Sequence, residues 1–440
     1  MTRTMPTPDP SPRRSVALHL ALAALCALAA TRVLGFAAPS RDLMALWLAA
    51  QEVAAGTPDR IYAPLEPLFT MRPAMDWYAR AEVLGRPGQV YPYLYPPLWA
   101  HLLAPLTGQI GFANFAAAVL GVQAGLLALM PMLALRLAGL VAPPARAQIL
   151  FWIGAVAALI LSHGVPIALT QGQPQITVAF LTLLALERAA AGRPLSAGLC
   201  MGVAIALKLT PLPLALLWCV TGQGRAAGIA LATAAALALV SIAWAGWPVH
   251  ALFLAHLQAI NATAISSMVV ASFDQLWGSL CCSDLAQKIP DLPPEIGTST
   301  TGWFILPKSA LWAGAQKLAI VIALAGFGWA LHRKTDPLPR ALLWGAAIAT
   351  LAFLGPIGWL YYYLVSLVLL PLVVPALGLR ALLLPGPVLL LINLGRGPAL
   401  PGWLSPFAHV STSLAMLVMI AVFLWAAFRP LPQNRIPPMQ

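Results

Sequence analysis

Apolar runs of bilayer-spanning length recur from about residue 15 to residue 428, separated mostly by short polar connections. That repetition predicts a polytopic bundle of transmembrane helices. Backbone groups inside hydrocarbon must find their hydrogen bonds within their own segment, so helix is the expected element throughout. The runs fall at about 15–38, 111–135, 148–169, 176–190, 195–207, 212–220, 229–247, 310–331, 341–354, 359–377, 382–394 and 407–428, which makes about 12 spans. The expected fold is all-α: one transmembrane domain over residues 15–428, a disordered cytoplasmic N-terminus at 1–14, and a polar, Pro-rich cytoplasmic tail at 429–440.

Two longer polar stretches interrupt this pattern, at about 39–95 and 248–309. In the first, Leu43, Leu46, Trp47, Ala50, Val53 and Ala54 repeat at helical spacing. This predicts an amphipathic helix on the membrane surface, ended by Gly56-Thr57-Pro58. The same stretch closes on Tyr91-Pro92-Tyr93-Leu94-Tyr95-Pro96-Pro97, which leads into another apolar run. Proline suits the first turn of a helix, and tyrosine suits the level of lipid headgroups. The block therefore marks a re-entry of the chain into the bilayer. The apolar run that ends at Leu207 is broken by Lys208-Leu209-Thr210-Pro211, which predicts two short helices joined outside the membrane.

Composition sharpens the picture. The chain is 440 residues long, 60% hydrophobic and only 9% charged, too few charges to cover a soluble fold of that size. Its formal charge of +12 is scattered over short loops and forms no patch, so nucleic acid is excluded as the expected partner. Arg3, Arg13 and Arg14 precede the first span and predict a cytoplasmic N-terminus, which puts both polar stretches on the external face. Cys26, Cys200 and Cys219 lie in apolar runs, and the adjacent Cys281 and Cys282 are expected as structural or free thiols. The seven histidines show no ligand spacing with acids or cysteines, so no metal site is expected.

Five groups could carry chemistry at the external face. Asp42 is either a helix cap or a general base for a sugar hydroxyl. Lys208 is costly in an apolar run. It either snorkels to a helix end or holds a phosphate. Gln171 and Gln173, in Gln171-Gly172-Gln173-Pro174-Gln175, are either a polar turn or amides for sugar hydroxyls. Gln275 and Trp277, beside Asp274, are either interfacial or sugar contacts. Tyr361, like Tyr95, is either part of an aromatic belt or part of a substrate site.

The order of these blocks resembles glycosyltransferase family 87, membrane enzymes of the GT-C type, similar in layout to mycobacterial α-1,2-mannosyltransferases. The matching pieces are Asp42 to Gly56, Tyr62, Tyr95-Pro96-Pro97-Leu98, Gly172-Gln173, Gly198 to Ala206 with Lys208-Leu209-Thr210-Pro211, and Pro356-Ile357-Gly358-Trp359, within residues 35–375. The resemblance implies a polyprenyl-phosphate donor of mannose or another hexose or pentose, and an inverting transfer to a glycolipid or glycan acceptor. It places the active site on the periplasmic face of the inner membrane, with a catalytic aspartate that falls by position on Asp42. Lys208 would bind the donor phosphate, and Tyr95, Gln171, Gln173, Gln275, Trp277 and Tyr361 are expected around donor and acceptor. No cofactor and no obligatory metal are expected, and the other partners are membrane lipids. The chain departs from the family pattern at Gln175, where Asn is frequent, and at Leu360-Tyr361, where an acid and a histidine are frequent. A lipid or solute transporter, or an inactive family member, is the rival expectation.

Overall fold

A computed structural model describes residues 12–35, 38–140, 144–299, 301–394 and 410–430. The expectation of disorder in the tails falls almost wholly outside these residues. The helices run α1 (Pro12–Val33), α2 (Arg41–Ala54), α3 (Asp76–Val83), α4 (Pro97–Leu103), α5 (Phe112–Leu137), α6 (Ala145–Leu161), α7 (Gly164–Gln171), α8 (Gln175–Ala190), α9 (Pro194–Leu207), α10 (Leu212–Val220), α11 (Gly224–Ala245) and α12 (Trp247–Ala262). Strand β1 (Thr263–Ser266), α13 (Phe273–Cys281), β2 (Gln287–Pro290) and β3 (Gly302–Pro307) follow. Then come α14 (Ala310–Arg333), α15 (Pro337–Phe353), α16 (Leu364–Leu369), α17 (Val373–Leu377), α18 (Pro385–Leu394) and α19 (Ser411–Phe428).

The helical bundle matches the apolar pattern, but the count of 12 full spans is not reached. Among the described residues six segments are long and apolar enough to cross a bilayer, or seven if α6 and α7, bent by 71°, form one span. The other apolar runs are shorter. At 1.5 Å per residue the 14 residues of α9 cover about 21 Å of a hydrocarbon core about 30 Å thick. Small residues let these helices lie close. A Cβ on Gly198 or Gly202 of α9 would come within 2.5 Å of Ile229 or Thr233 on α11, so backbone packs almost on backbone there.

Helix α2 is buried on more of its surface than its periodicity suggested. Leu43, Met44, Ala45, Trp47, Leu48, Ala49, Ala50 and Glu52 are all buried, in a core shared with Tyr62, Trp77, Tyr93, Tyr95 and Phe112. Small alanines on its supposedly polar side let it pack on more than one face. The prolines open a helix as expected, with Pro96 before α4 and Pro97 at its first position, while Tyr93 and Tyr95 are buried in the protein core. Tyr62 Oη donates to the Tyr95 carbonyl at 2.8 Å and Tyr93 Oη to the Pro96 carbonyl at 2.7 Å, so these rings are structural posts.

The second polar stretch holds a small antiparallel sheet of order β1-β3-β2, with Ile265 opposite Ile305 and Lys288 opposite Phe304. The all-α expectation missed it, because its strands are only four to six residues long. A buried ion pair fastens this layer to the bundle: Lys308 Nζ lies 2.7 Å from Asp274 Oδ2, and Trp312 Nε1 donates to Asp274 Oδ1 at 2.9 Å. Cys281 and Cys282, expected as separate thiols, are joined to each other in a disulfide.

Candidate active site

Three chain breaks meet at one place. Ser40, with φ of 55°, turns the chain into α2, and its N–H bonds the Thr170 carbonyl at 2.6 Å. Gly172, with φ of +67°, ends α7 where a Cβ would come within 2.7 Å of Leu43 Cβ. Only glycine allows both that conformation and that contact. The start of α2 is thereby held against the Gln171–Gln175 turn. The third break ends α9 at Lys208, whose backbone is extended. Trp99 of α4 donates to the Ala206 carbonyl at 2.9 Å, close to this break.

Asp42 is the second residue of α2, after Ser40 at the cap position, so it is not the cap itself. It opens on a cavity of about 690 Å³ that Lys208, Tyr95, Gln171, Gln173 and Tyr361 also line. The Lys208 ammonium lies 4.4 Å from the Tyr362 ring centre and 5.7 Å from those of Tyr95 and Tyr361. Such a cage holds a cation that has lost much of its water. Burial pushes the Asp42 carboxyl up to about 6, with the charge of Lys208, a hydrogen bond from Gln173 and the charge of Arg41 pulling the other way. Burial likewise pushes the Lys208 ammonium down to about 8, opposed by the charge of Asp42. A base and a cation are thus both brought toward neutral pH, where each can exchange a proton.

Gln173 is the hub of this arrangement. Its Oε1 accepts from Tyr95 Oη at 3.2 Å, and its Nε2 donates to Tyr361 Oη at 3.1 Å. Its backbone carbonyl accepts from Gln123 Nε2 at 2.9 Å. Its side chain thus bridges the Tyr95 and Tyr361 hydroxyls, and it lies close enough to Asp42 to favour the ionised carboxylate. Gln173 therefore ties the two tyrosines together beside Asp42. Gln171 Oε1 and Gln175 Oε1 are different: both are buried without a protein partner, and both residues line the cavity.

Two expected site residues lie elsewhere. Gln275 is buried at the base of α13, where Oε1 accepts from the Ser267 N–H and Nε2 donates to the Val270 carbonyl and Thr412 Oγ1, all at 3.0 Å. It ties the external segment to α19 and does not line the cavity. Trp277 is 46% exposed and stacks on Phe273, away from the cavity. The neighbouring Asp274 is spent in the ion pair with Lys308. Gln175 of the glutamine turn lines the cavity too, as do Tyr362 and Asp291, which the sequence did not single out. Tyr362 stood in a visible Tyr361-Tyr362-Tyr363 run, whereas nothing near Asp291 marked it.

From this site the cavity continues between helices. Val178, Ala179 and Thr182 line it along α8, with Leu214 of α10, Ile320 of α14 and Ile348 and Leu351 of α15. Thr182 lies about 10 Å further along the helix than Gln175. No group of three or more His, Cys, Asp or Glu side chains is assembled among the described residues.

The fold is a helical bundle with several segments apolar enough to cross a membrane, and an acid, a caged lysine and an apolar channel share one cavity. The chain is a member of glycosyltransferase family 87, whose sequence profile matches residues 93–355. The match includes Tyr95, the Gln171–Gln175 turn and Lys208 but stops short of Asp42 and Tyr361, so the structure alone joins those two to the family's segment. Comparison with curated proteins and with solved structures returned no match.

Proposed function

We propose that this membrane glycosyltransferase moves a sugar from a polyprenyl-phosphate donor to a hydroxyl of a glycolipid or glycan. The reaction is inverting, of the GT-C type, and takes place at the external face of the inner membrane. The observation that carries this reading is the shared cavity of Asp42, Lys208 and the apolar channel. The channel suits a prenyl chain, and the caged ammonium at its upper end suits the phosphate. The two unpartnered glutamine oxygens suit donor-sugar hydroxyls, since a buried amide oxygen without a donor is costly.

In this mechanism Asp42 accepts the proton of the acceptor hydroxyl as its oxygen bonds to the anomeric carbon. The bond from that carbon to the phosphate oxygen breaks, and polyprenyl phosphate leaves with the electron pair, carrying one more negative charge. Lys208 stabilises that added charge. Protonated Asp42 then returns its proton to water. Because Lys208 meets the leaving phosphate, transfer persists in a metal chelator.

The test is transfer by the purified protein from polyprenyl-phosphate sugars such as decaprenyl-phosphate mannose. Asp42→Asn removes the base and keeps the shape, and it is expected to cut kcat by about 100-fold or more while leaving the thermal midpoint unchanged. Near-normal turnover in that variant removes Asp42 from the mechanism.

A further inference from the structure

Beyond Asp42 the cavity is roofed by the second external segment, and a second carboxylate faces it there. Asp291 follows β2 and lines the cavity together with Tyr91, Asn261 and Thr301. Its N–H bonds the Thr301 carbonyl at 3.0 Å, which closes the neck of the loop. Arg41 Nη1 donates to Asp291 Oδ2 at 3.0 Å, to Oδ1 at 3.2 Å and to Tyr91 Oη at 3.1 Å, with the guanidinium 5.5 Å from the Tyr91 ring centre.

Arg41 and Asp42 are consecutive on α2, so the residue that holds Asp291 is bonded to the proposed base. Arg41 holds Tyr91 and Asp291 on one side of Asp42, whereas Lys208 sits among the Tyr95, Tyr361 and Tyr362 rings at the end of α9. The polar groups therefore run in the order Lys208, Asp42, Tyr91, Asp291. An in-line displacement puts the acceptor on the side of the anomeric carbon away from the leaving phosphate. With phosphate at Lys208, that is the side of Asp291.

A carboxylate offers about four lone-pair directions, and the single nitrogen of Arg41 does not use them all. The Asp291 side chain keeps 19% of its surface accessible. Tyr91 Oη accepts from Arg41, which leaves its own hydrogen to donate. We infer that Asp291, held by Arg41, is the acceptor subsite that takes a second hydroxyl of the same sugar ring whose first hydroxyl meets Asp42. The acceptor is therefore a polyhydroxylated ring, not an isolated alcohol. This rests on the reading of Asp42 and Lys208 given above.

The test measures acceptor binding without turnover, by saturation-transfer NMR on the full-length protein in nanodiscs. The probes are octyl α-mannopyranoside, octyl β-glucopyranoside, their monodeoxy analogues and 1-octanol. Wild type is expected to bind at least one octyl glycoside, and to bind it about tenfold more tightly than the analogue lacking the recognised hydroxyl. Asp291→Asn keeps an acceptor oxygen for Arg41 and is expected to lose that preference; Asp291→Ser is the second variant should the first fail to fold. Binding of polyprenyl phosphate stays unchanged in both. Equal glycoside affinity in wild type and variants, an equal loss across all probes including 1-octanol, or no glycoside binding at all overturns the inference. Glycoside binding that depends on Asp291, together with no transfer from any polyprenyl-phosphate sugar, instead overturns the donor reading and leaves the subsite standing.

Discussion

At the scale of single residues, burial moves Asp42 and Lys208 toward neutral pH, and the charge of each restrains the shift of the other. The base works only when ionised, and the cation holds phosphate only when protonated. With Asp42 raised to about 6 and Lys208 lowered to about 8, kcat/KM falls as pH drops through about 6 and falls again as pH rises through about 8. Lys208→Arg keeps its charge at high pH, so its residual activity loses the alkaline limb and keeps the acid limb. A flat profile from pH 5.5 to 9 in the wild type contradicts the pairing. Much of this was legible in the sequence. A lone lysine in an apolar run and an aspartate just past the first span stand out because each is costly or unusual where it is. The hydrogen bonds of Gln173 were not legible. An amide free to touch sugar and an amide engaged with Tyr95 and Tyr361 look the same in a sequence, and only the bonding in the fold separates them.

At the scale of elements, apolar periodicity placed the helices well but misjudged their surroundings. Helix α2 has an amphipathic pattern, yet its alanines let it sink into the external core. The breaks at Gly172 and Lys208 were visible as Gly, Pro and polar punctuation. The sheet was not, since short strands joined by long loops carry little pattern of their own. Gln275 and Trp277 were misread for a related reason: polar and aromatic residues near a membrane surface serve docking as readily as catalysis. The Asp274–Lys308 pair illustrates docking. Removing one partner strands a buried charge, so Lys308→Met is expected to destabilise the protein by roughly 3–5 kcal/mol, and adding Asp274→Leu should recover much of that loss. Apparent thermal midpoints in detergent measure both effects. A Lys308→Met variant as stable as wild type removes the pair from its structural role.

At the scale of the whole molecule, the bundle supplies a channel and the layer around the small sheet supplies a roof, and the proposed site lies where the two meet. Family membership accounts for the central part of the chain, residues 93–355, while the proposed base comes from helix α2 before it. The Tyr361 ring and hydroxyl occupy ground where the family often has histidine, and here they enclose Lys208 and orient Gln173. The most direct measurement is a cryo-electron microscopy map of the protein in nanodiscs with bound decaprenyl phosphate. The account predicts phosphate density against the Lys208 ammonium, beside Asp42, with the prenyl chain running past Val178 and Thr182 toward Ile320. Phosphate density at any other site, or a prenyl chain that avoids this channel, contradicts it.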